Sequence, residues 1–129
     1  MNGAAGALCL AAVLASASPA LAHHSFAAYD SAKTVTLNAT VQAFEWANPH
    51  AAIRMLVQDD ALGAQAQWEV ETSSPSILQR FGWRRKSIKR GDHVIVLLNP
   101  MRDGSHHGRL HTLTVLETGQ ILRTKLSGP

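Results

Sequence analysis

The chain has 129 residues, a formal net charge of +3 at pH 7 and one strongly apolar stretch, which lies at its beginning. Its single cysteine, Cys9, lies in that stretch, so the rest of the chain offers no disulfide, no thiolate nucleophile and no cysteine-based metal site. The length suits one domain with a modest hydrophobic core.

The first residues are typical of an export signal. An uncharged run of small residues and leucine covers residues 4–17, and Ala20 and Ala22 form an Ala-x-Ala cleavage site. The run is too short and too rich in alanine for a membrane anchor. We therefore predict a cleaved signal peptide at residues 1–22 and a single periplasmic or secreted domain at residues 23–129, which begins with His23.

Alternation of apolar and polar side chains predicts a chain of short strands. Residues 34–43 alternate cleanly, and the alternation slips at Ala43 and Phe44, which indicates a bulge in a long first strand. Pro49 predicts the corner that follows this strand. Further strands are predicted at residues 53–58, 67–72, 94–98 and 110–116, with a short sixth at 121–123. The fourth strand is apolar on both sides, which predicts that both of its faces are covered.

One short helix is predicted between the third and fourth strands. Ser74 is a good N-cap, Pro75 suits the first helical position, and Gly82 suits a left-handed stop. The face expected to plug one end of a barrel carries Ile77, Leu78 and Phe81. Before the first strand, residues 23–30 are expected to form an extended arm with Phe26 and Tyr29 as aromatic anchors.

This order of elements predicts a mainly β fold: a small OB-like antiparallel barrel of five to six strands with one short helix between strands 3 and 4. The alternative is an open antiparallel sheet with one helix packed on it. The long first strand with its slip favours the barrel, because such a strand can serve two sides of a closed sheet.

Several landmarks together resemble a family of short exported Gram-negative bacterial proteins of unknown function. They are the start His23-His24-Ser25-Phe26, the corner from Phe44 to His50, Ser74-Pro75, Gly82-Trp83, Gly91-Asp92, and Asn99-Pro100 with Asp103-Gly104. The resemblance covers nearly all of the chain after the predicted cleavage site. It implies a periplasmic or secreted domain and brings no particular activity. His93, His106, His107 and His111 lie outside the shared pattern.

The histidines suggest a metal site. In OB-type barrels the loop between strands 1 and 2 and the loop between strands 4 and 5 flank one binding face. His50 lies in the first of these loops, and His106 and His107 lie in a polar segment, residues 99–109, that is predicted to form the second.

The mature terminus would offer an α-amine and an imidazole on His23, a donor set that suits Cu(II). An extended arm of ten residues spans roughly 33 Å, enough to run back along the barrel to His50. These residues predict a copper or zinc site built from His23, His24 and His50, with His106 and His107 as further ligands. The alternative is that all five are solvated or hydrogen-bonded histidines of loops and the terminus.

A second hypothesis is a non-catalytic binding module without metal. OB-type faces stack small ligands on aromatic rings, and the chain has four large aromatic residues for this role, Phe44, Trp46, Trp68 and Trp83. The competing interpretation is that a barrel of this size needs these rings in its core. The ligand of such a module would be a small molecule or a component of the cell envelope.

Other functions find less support in the sequence. No nucleophile elbow, acid/base pair or cofactor motif is recognisable, so we do not expect an enzyme. Six of the twelve lysines and arginines crowd into residues 80–90. This segment is either a solvated turn or a contact for an anionic envelope surface such as phospholipid or lipopolysaccharide. Nucleic acid is not an expected partner, because export separates the protein from it.

Overall fold

The structure, a computed structural model, describes residues 26–59 and 64–124. The signal peptide predicted at residues 1–22, and also His23 and His24, lie outside these ranges. In chain order the elements are a 3₁₀ turn at Phe26–Ala28, β1 at Val35–Glu45, β2 at Ala52–Asp59, β3 at Ala64–Glu71, α1 at Pro75–Arg80, β4 at His93–Pro100, β5 at His107–Val115 and β6 at Ile121–Arg123. No helix in these two ranges is long and apolar enough to cross a membrane.

The strands form one sheet in the order β3-β2-β1-β4-β5-β6, and the sheet closes because β3 also pairs with β5. Five strands thus make a closed barrel, and β6 adds a short strand beside β5. This confirms the predicted OB-like barrel with one helix between strands 3 and 4. One detail differs: β3 and β5 run parallel, so the barrel is mixed. A parallel pair needs a long connection, which α1 and β4 provide.

A bulge in β1 explains how one strand serves two sides of the barrel. Residues 35–40 pair with β4, and residues 39–45 pair with β2. The register with β2 shifts between Val41 and Ala43, which leaves Gln42 as the extra residue. The slip seen in the sequence at Ala43 and Phe44 is therefore a real bulge, and it lets the strand bend around the core.

The core fills the barrel with branched side chains from every long strand. Val41, Ile53, Val70, Val96 and Leu113 are almost completely buried. Gly108 is buried as well, and its position next to Leu98 leaves no room for a side chain. Burial of these apolar surfaces is the main stabilising contribution in a domain that has no disulfide.

Helix α1 contributes one buried side chain to the core, a narrower face than the sequence predicted. The Ser74 hydroxyl caps the helix by accepting from the amide of Ile77, and Gly82 ends it with a positive φ of 86°. Leu78 is fully buried, whereas Ile77 is 43% exposed. The prediction that Ile77 plugs the barrel is wrong. Consecutive residues of a helix point about 100° apart, and six residues present only one narrow face.

Two further expectations are corrected, one by strand pairing and one by side-chain exposure. The predicted polar loop at residues 99–109 is shorter, because β4 runs to Pro100, β5 begins at His107, and Asn99 aligns with Arg109. Only residues 101–106 form the β4–β5 loop. The outer face of β4 is also less covered than predicted, since Leu97 is 37% exposed.

Candidate functional site

The three predicted metal ligands that the structure describes lie along one strand, β3. His50, in the β1–β2 loop (residues 46–51), contacts Glu71 at the end of β3. His107, the first residue of β5, aligns with Glu69, two residues earlier on β3. His106 is the last residue of the β4–β5 loop, and its carbonyl accepts a hydrogen bond of 3.0 Å from the amide of Glu69. The two loops therefore border the same strand.

Glu71 links the barrel to the segment that precedes β1. One of its oxygens lies 2.8 Å from Nδ1 of His50. The other accepts a hydrogen bond of 2.8 Å from the hydroxyl of Tyr29. Because a carboxylate only accepts hydrogen bonds, Nδ1 of His50 carries the hydrogen in this pair, and Nε2 is the lone-pair nitrogen of the neutral ring.

Tyr29 is held as a neutral donor. It is only 4% exposed. Burial raises the pKa of its phenol, the hydrogen bond to Glu71 and the charge of that carboxylate raise the pKa further, and the nearby Arg109 acts in the opposite direction. The phenol therefore stays protonated throughout the physiological range and donates to Glu71.

The segment around Tyr29, which we call the arm (residues 26–34), is docked on the β4–β5 loop. Tyr29 forms a β-bridge with Met101, the Asp30 amide donates to the Pro100 carbonyl at 2.8 Å, and the Arg102 amide donates to the Ala28 carbonyl at 3.0 Å. The predicted fully extended arm is wrong at residues 26–28, which form a 3₁₀ turn.

The route by which His23 was predicted to reach His50 lies outside the described residues, which begin at Phe26. Within the described part of the arm, Tyr29 contacts the carboxylate that binds His50. Closure of the barrel between β3 and β5 brings the end of β4, where the arm docks, next to the end of β3. Tyr29 therefore lies close to the β1–β2 loop.

A cleft of about 220 Å³ opens beside the cluster of Tyr29, His50 and Glu71, and residues of β2 and β3, the end of the β4–β5 loop and the start of β5 line it. Trp68 is half-buried against the core, and its ring stacks on the ring of His106 with a centroid distance of 5.2 Å and an interplanar angle of 20°. The cleft is lined by Arg54, Gln67, Trp68, Glu69, His106 and His107. It thus combines the stacked pair of Trp68 and His106 with a cation, a carboxylate, an amide and one further imidazole, that of His107.

The other large aromatic residues serve the core. Trp83 is fully buried, and its indole nitrogen donates to the carbonyl of Arg123 at 2.7 Å. Phe44 packs edge-on against Trp46, with centroids 5.6 Å apart, and both pack against the core. Of the four aromatic residues considered as ligand platforms, only Trp68 lines the cleft.

A second polar contact, between His111 and Asn99, was not predicted from the sequence. The register of β4 and β5 shifts so that His111 is an extra residue on β5, and its Nε2 forms a short hydrogen bond with Oδ1 of Asn99. Asn99 is nearly buried and also donates to the carbonyl of Lys33 at 2.7 Å. A signal was present in the sequence: the inward residues Leu110 and Leu113 are three positions apart, where an unbroken strand would place them two or four apart.

A second, separate hollow of about 180 Å³ lies near His93, between β1, β2 and β4. Nδ1 of His93 contacts Glu117 at 2.7 Å, and the amide of His93 donates to the same carboxylate at 2.9 Å. The backbone hydrogen bond is the main reason that the pKa of Glu117 is lowered to about 2. His93 thus forms a histidine–carboxylate pair of the same type as His50, but away from the arm.

Within residues 26–59 and 64–124, no group of three or more histidines, cysteines or carboxylates is arranged to hold a metal ion. The predicted copper or zinc site depends on His23 and His24, which lie outside these ranges. It remains a prediction.

Comparison with known proteins gives a family and no activity. A model of the DUF6152 family, a family of unknown function, matches residues 11–111. This covers most of the chain, and the chain therefore belongs to this family. The expectation of an uncharacterised family is confirmed, while the motifs and bacterial range implied by the resemblance remain predictions. No curated protein and no solved structure matches the chain significantly.

Proposed function

We propose that the protein is an exported, non-catalytic binding module of the periplasm that binds a small polar ligand in the cleft beside Trp68. The single observation that supports this function most is the stacked pair of Trp68 and His106 in the cleft wall. Export is inferred from the apolar run at residues 4–17 and the Ala-x-Ala site that ends at Ala22.

The position of the cleft supports this proposal. In OB-type barrels, ligands bind on the face of strands 2 and 3 between the β1–β2 and β4–β5 loops. The cleft lies at this place: Arg54 belongs to β2, Glu69 belongs to β3, and His106 ends the β4–β5 loop.

The lining indicates the chemical class of the ligand. The cleft has a volume of about 220 Å³, which is below the roughly 300–1,000 Å³ of pockets for drug-sized molecules. We therefore expect a ligand of about the size of a monosaccharide. The ring pair favours a molecule with one flat apolar face. Gln67 and Glu69 offer hydrogen-bonding groups for hydroxyls or amides, and Arg54, which also pairs with Glu45 at 2.7 Å, offers a cation at the rim.

Chemical-shift mapping by NMR tests this proposal, with monosaccharides and small hydroxylated aromatic molecules as probes. We expect saturable shifts of the amides of residues 67–69 and 106–107 with at least one probe class. The variant His106→Ala should weaken binding, because it removes one half of the stacked pair. His93→Ala is the matched control, since it also removes a surface histidine and leaves the cleft intact. Absence of binding at millimolar probe, or equal effects of both variants, would overturn the proposal.

A second candidate function, binding of Cu(II) or Zn(II), is favoured by the pair of His50 and Glu71. Histidines that ligate metals usually donate their other ring hydrogen to a carboxylate, which orients the ring and increases its basicity. His50 has this arrangement through Nδ1. Tyr29, on the same carboxylate, brings the arm to this place, and the arm follows His23 and His24 in the chain.

Isothermal titration with Cu(II) and with Zn(II) tests this second candidate, on protein whose mature terminus at His23 has been verified by mass. We expect micromolar or tighter binding that His23→Ala and His50→Ala each weaken at least tenfold, with smaller effects of substitutions at His24, His106 and His107. His93→Ala is again the control. If the metal binds equally well to all of these variants, or not at all, the site does not exist.

A further inference from the structure

We propose that a basic surface next to helix α1 binds the anionic headgroups of a phospholipid membrane. The basic surface consists of Arg80, Arg84, Arg85, Lys86, Lys89 and Arg90. It involves none of the residues that line the cleft, so it does not depend on the function proposed above.

The basic surface concentrates half of the cationic side chains of the chain in eleven residues. All six members are exposed. Of these six cations, only Lys89 forms an ion pair with a carboxylate in residues 26–59 and 64–124, namely with Asp92 at 2.7 Å. The other five cations have no ion pair with a carboxylate that the structure describes, and their charges add to one local positive field.

The backbone under this surface is held in place by buried anchors. Leu78, Trp83 and Ile88 are buried beneath it. The side chain of Arg84 donates to the carbonyl of Trp83 at 2.8 Å, and its amide donates to the hydroxyl of Ser87 at 2.7 Å. The cations are thus carried by an ordered turn, so binding does not lose free energy to ordering of the backbone.

An exposed apolar side chain distinguishes a membrane from other anionic partners. Ile77 is 43% exposed and lies one helical turn before Arg80. Basic residues beside an exposed apolar residue suit a membrane interface, where headgroups attract the cations and the apolar side chain enters the acyl boundary. A nucleic acid backbone would use the cations and offer nothing to Ile77. We therefore favour phospholipid over nucleic acid.

Vesicle sedimentation with the full mature chain tests this inference. The probes are vesicles of phosphatidylglycerol and phosphatidylethanolamine, with pure phosphatidylcholine vesicles as the neutral comparison. We expect binding to the anionic vesicles only, weakened by salt because the attraction between exposed charges is screened. The double variant Arg85→Gln/Lys86→Gln should lose about 25-fold in affinity, or about fivefold for each cation near the surface.

Two controls separate this surface from net charge alone. Lys33→Gln/Arg102→Gln removes the same amount of charge outside the basic surface and should lose much less affinity. Ile77→Ser should weaken binding at low and high salt alike, because apolar insertion is not screened. Circular dichroism verifies that each variant is folded. Equal losses for the two double variants, binding to neutral vesicles, or tighter binding to duplex DNA than to anionic vesicles would each overturn the inference.

Discussion

Tyr29 and His50 contact opposite oxygens of the same carboxylate, that of Glu71, although they belong to segments on either side of β1. This contact fastens the arm to the β1–β2 loop through a single side chain of β3. It also places the arm beside the cleft, because Glu69, two residues before Glu71 on β3, lines that cleft. The arm, the loop and the cleft are therefore one connected region of the molecule.

The first prediction concerns the ionisation of Tyr29. It is the only tyrosine of the chain, so the near-ultraviolet absorbance of tyrosinate reports on this residue alone. In the folded protein we expect titration well above the ordinary value near 10, because burial and Glu71 raise the pKa of Tyr29. In concentrated urea the titration should return to the ordinary value.

The sign of the effect on stability follows from this shift. Because the pKa of Tyr29 is higher in the folded state, its contribution to the free energy of unfolding is fully present below the ordinary pKa near 10. This contribution is lost as the pH rises above that value. Glu71→Gln should lower the midpoint of Tyr29 in the folded protein, since it removes the negative charge. Glu45→Gln, which removes a carboxylate that pairs with Arg54, should leave the midpoint unchanged. An ordinary midpoint in the folded wild type would show that the arm does not dock on Glu71.

The second prediction concerns stability in acid. The pKa of Glu117 is lowered to about 2, first by the hydrogen bond from the amide of His93. A lowered folded pKa stabilises the native state above the ordinary value near 4.5, and this contribution is lost as the pH falls towards 2. Urea unfolding should therefore show that the free energies of unfolding of the wild type and of Glu117→Gln converge as the pH is lowered between these two values. A constant difference over this range would contradict the assignment.

The third prediction concerns close packing at Gly108. A Cβ at this position would lie 2.7 Å from Cδ1 of Leu98 and 3.2 Å from the carbonyl oxygen of Asn99. Leu98 is itself fully buried and has little room to move. Gly108→Ala should therefore lower the free energy of unfolding by about 1–3 kcal/mol. Chemical denaturation measures this change.

A double-mutant cycle checks that the cost arises from this contact. In a Leu98→Ala background, the added methyl group enters space that the leucine has vacated, so Gly108→Ala should cost much less than it does in the wild type. The same cost in both backgrounds would mean that Leu98 is not the obstacle.

Local patterns were sufficient to predict the barrel. The alternation of residues 34–43 and its slip predicted β1 and its bulge, and Ser74 and Gly82 predicted where α1 begins and ends. Hydrophobic periodicity and cap residues are local signals, because each depends only on residues that are close in the chain. The exposure of Ile77 was missed because a helix of six residues has too few positions to define its buried face by pattern.

The candidate site was predictable only in part, because it depends on contacts between distant segments. His50, His106 and His107 were selected from the expected arrangement of two loops, and these loops do border one strand. The partners Glu71 and Tyr29 were missed, since no local pattern shows which carboxylate the arm will meet after the parallel closure of β3 with β5. The stacking of His106 on Trp68 has the same origin.

The central claim is that the cleft beside Trp68 is a ligand site, and intermolecular nuclear Overhauser effects test it most directly. The measurement uses the full mature chain with the tightest-binding monosaccharide or hydroxylated aromatic probe. We predict contacts from the probe to the indole protons of Trp68 and the ring protons of His106. Contacts confined to His93 and Leu116, which line the second hollow, would contradict this assignment.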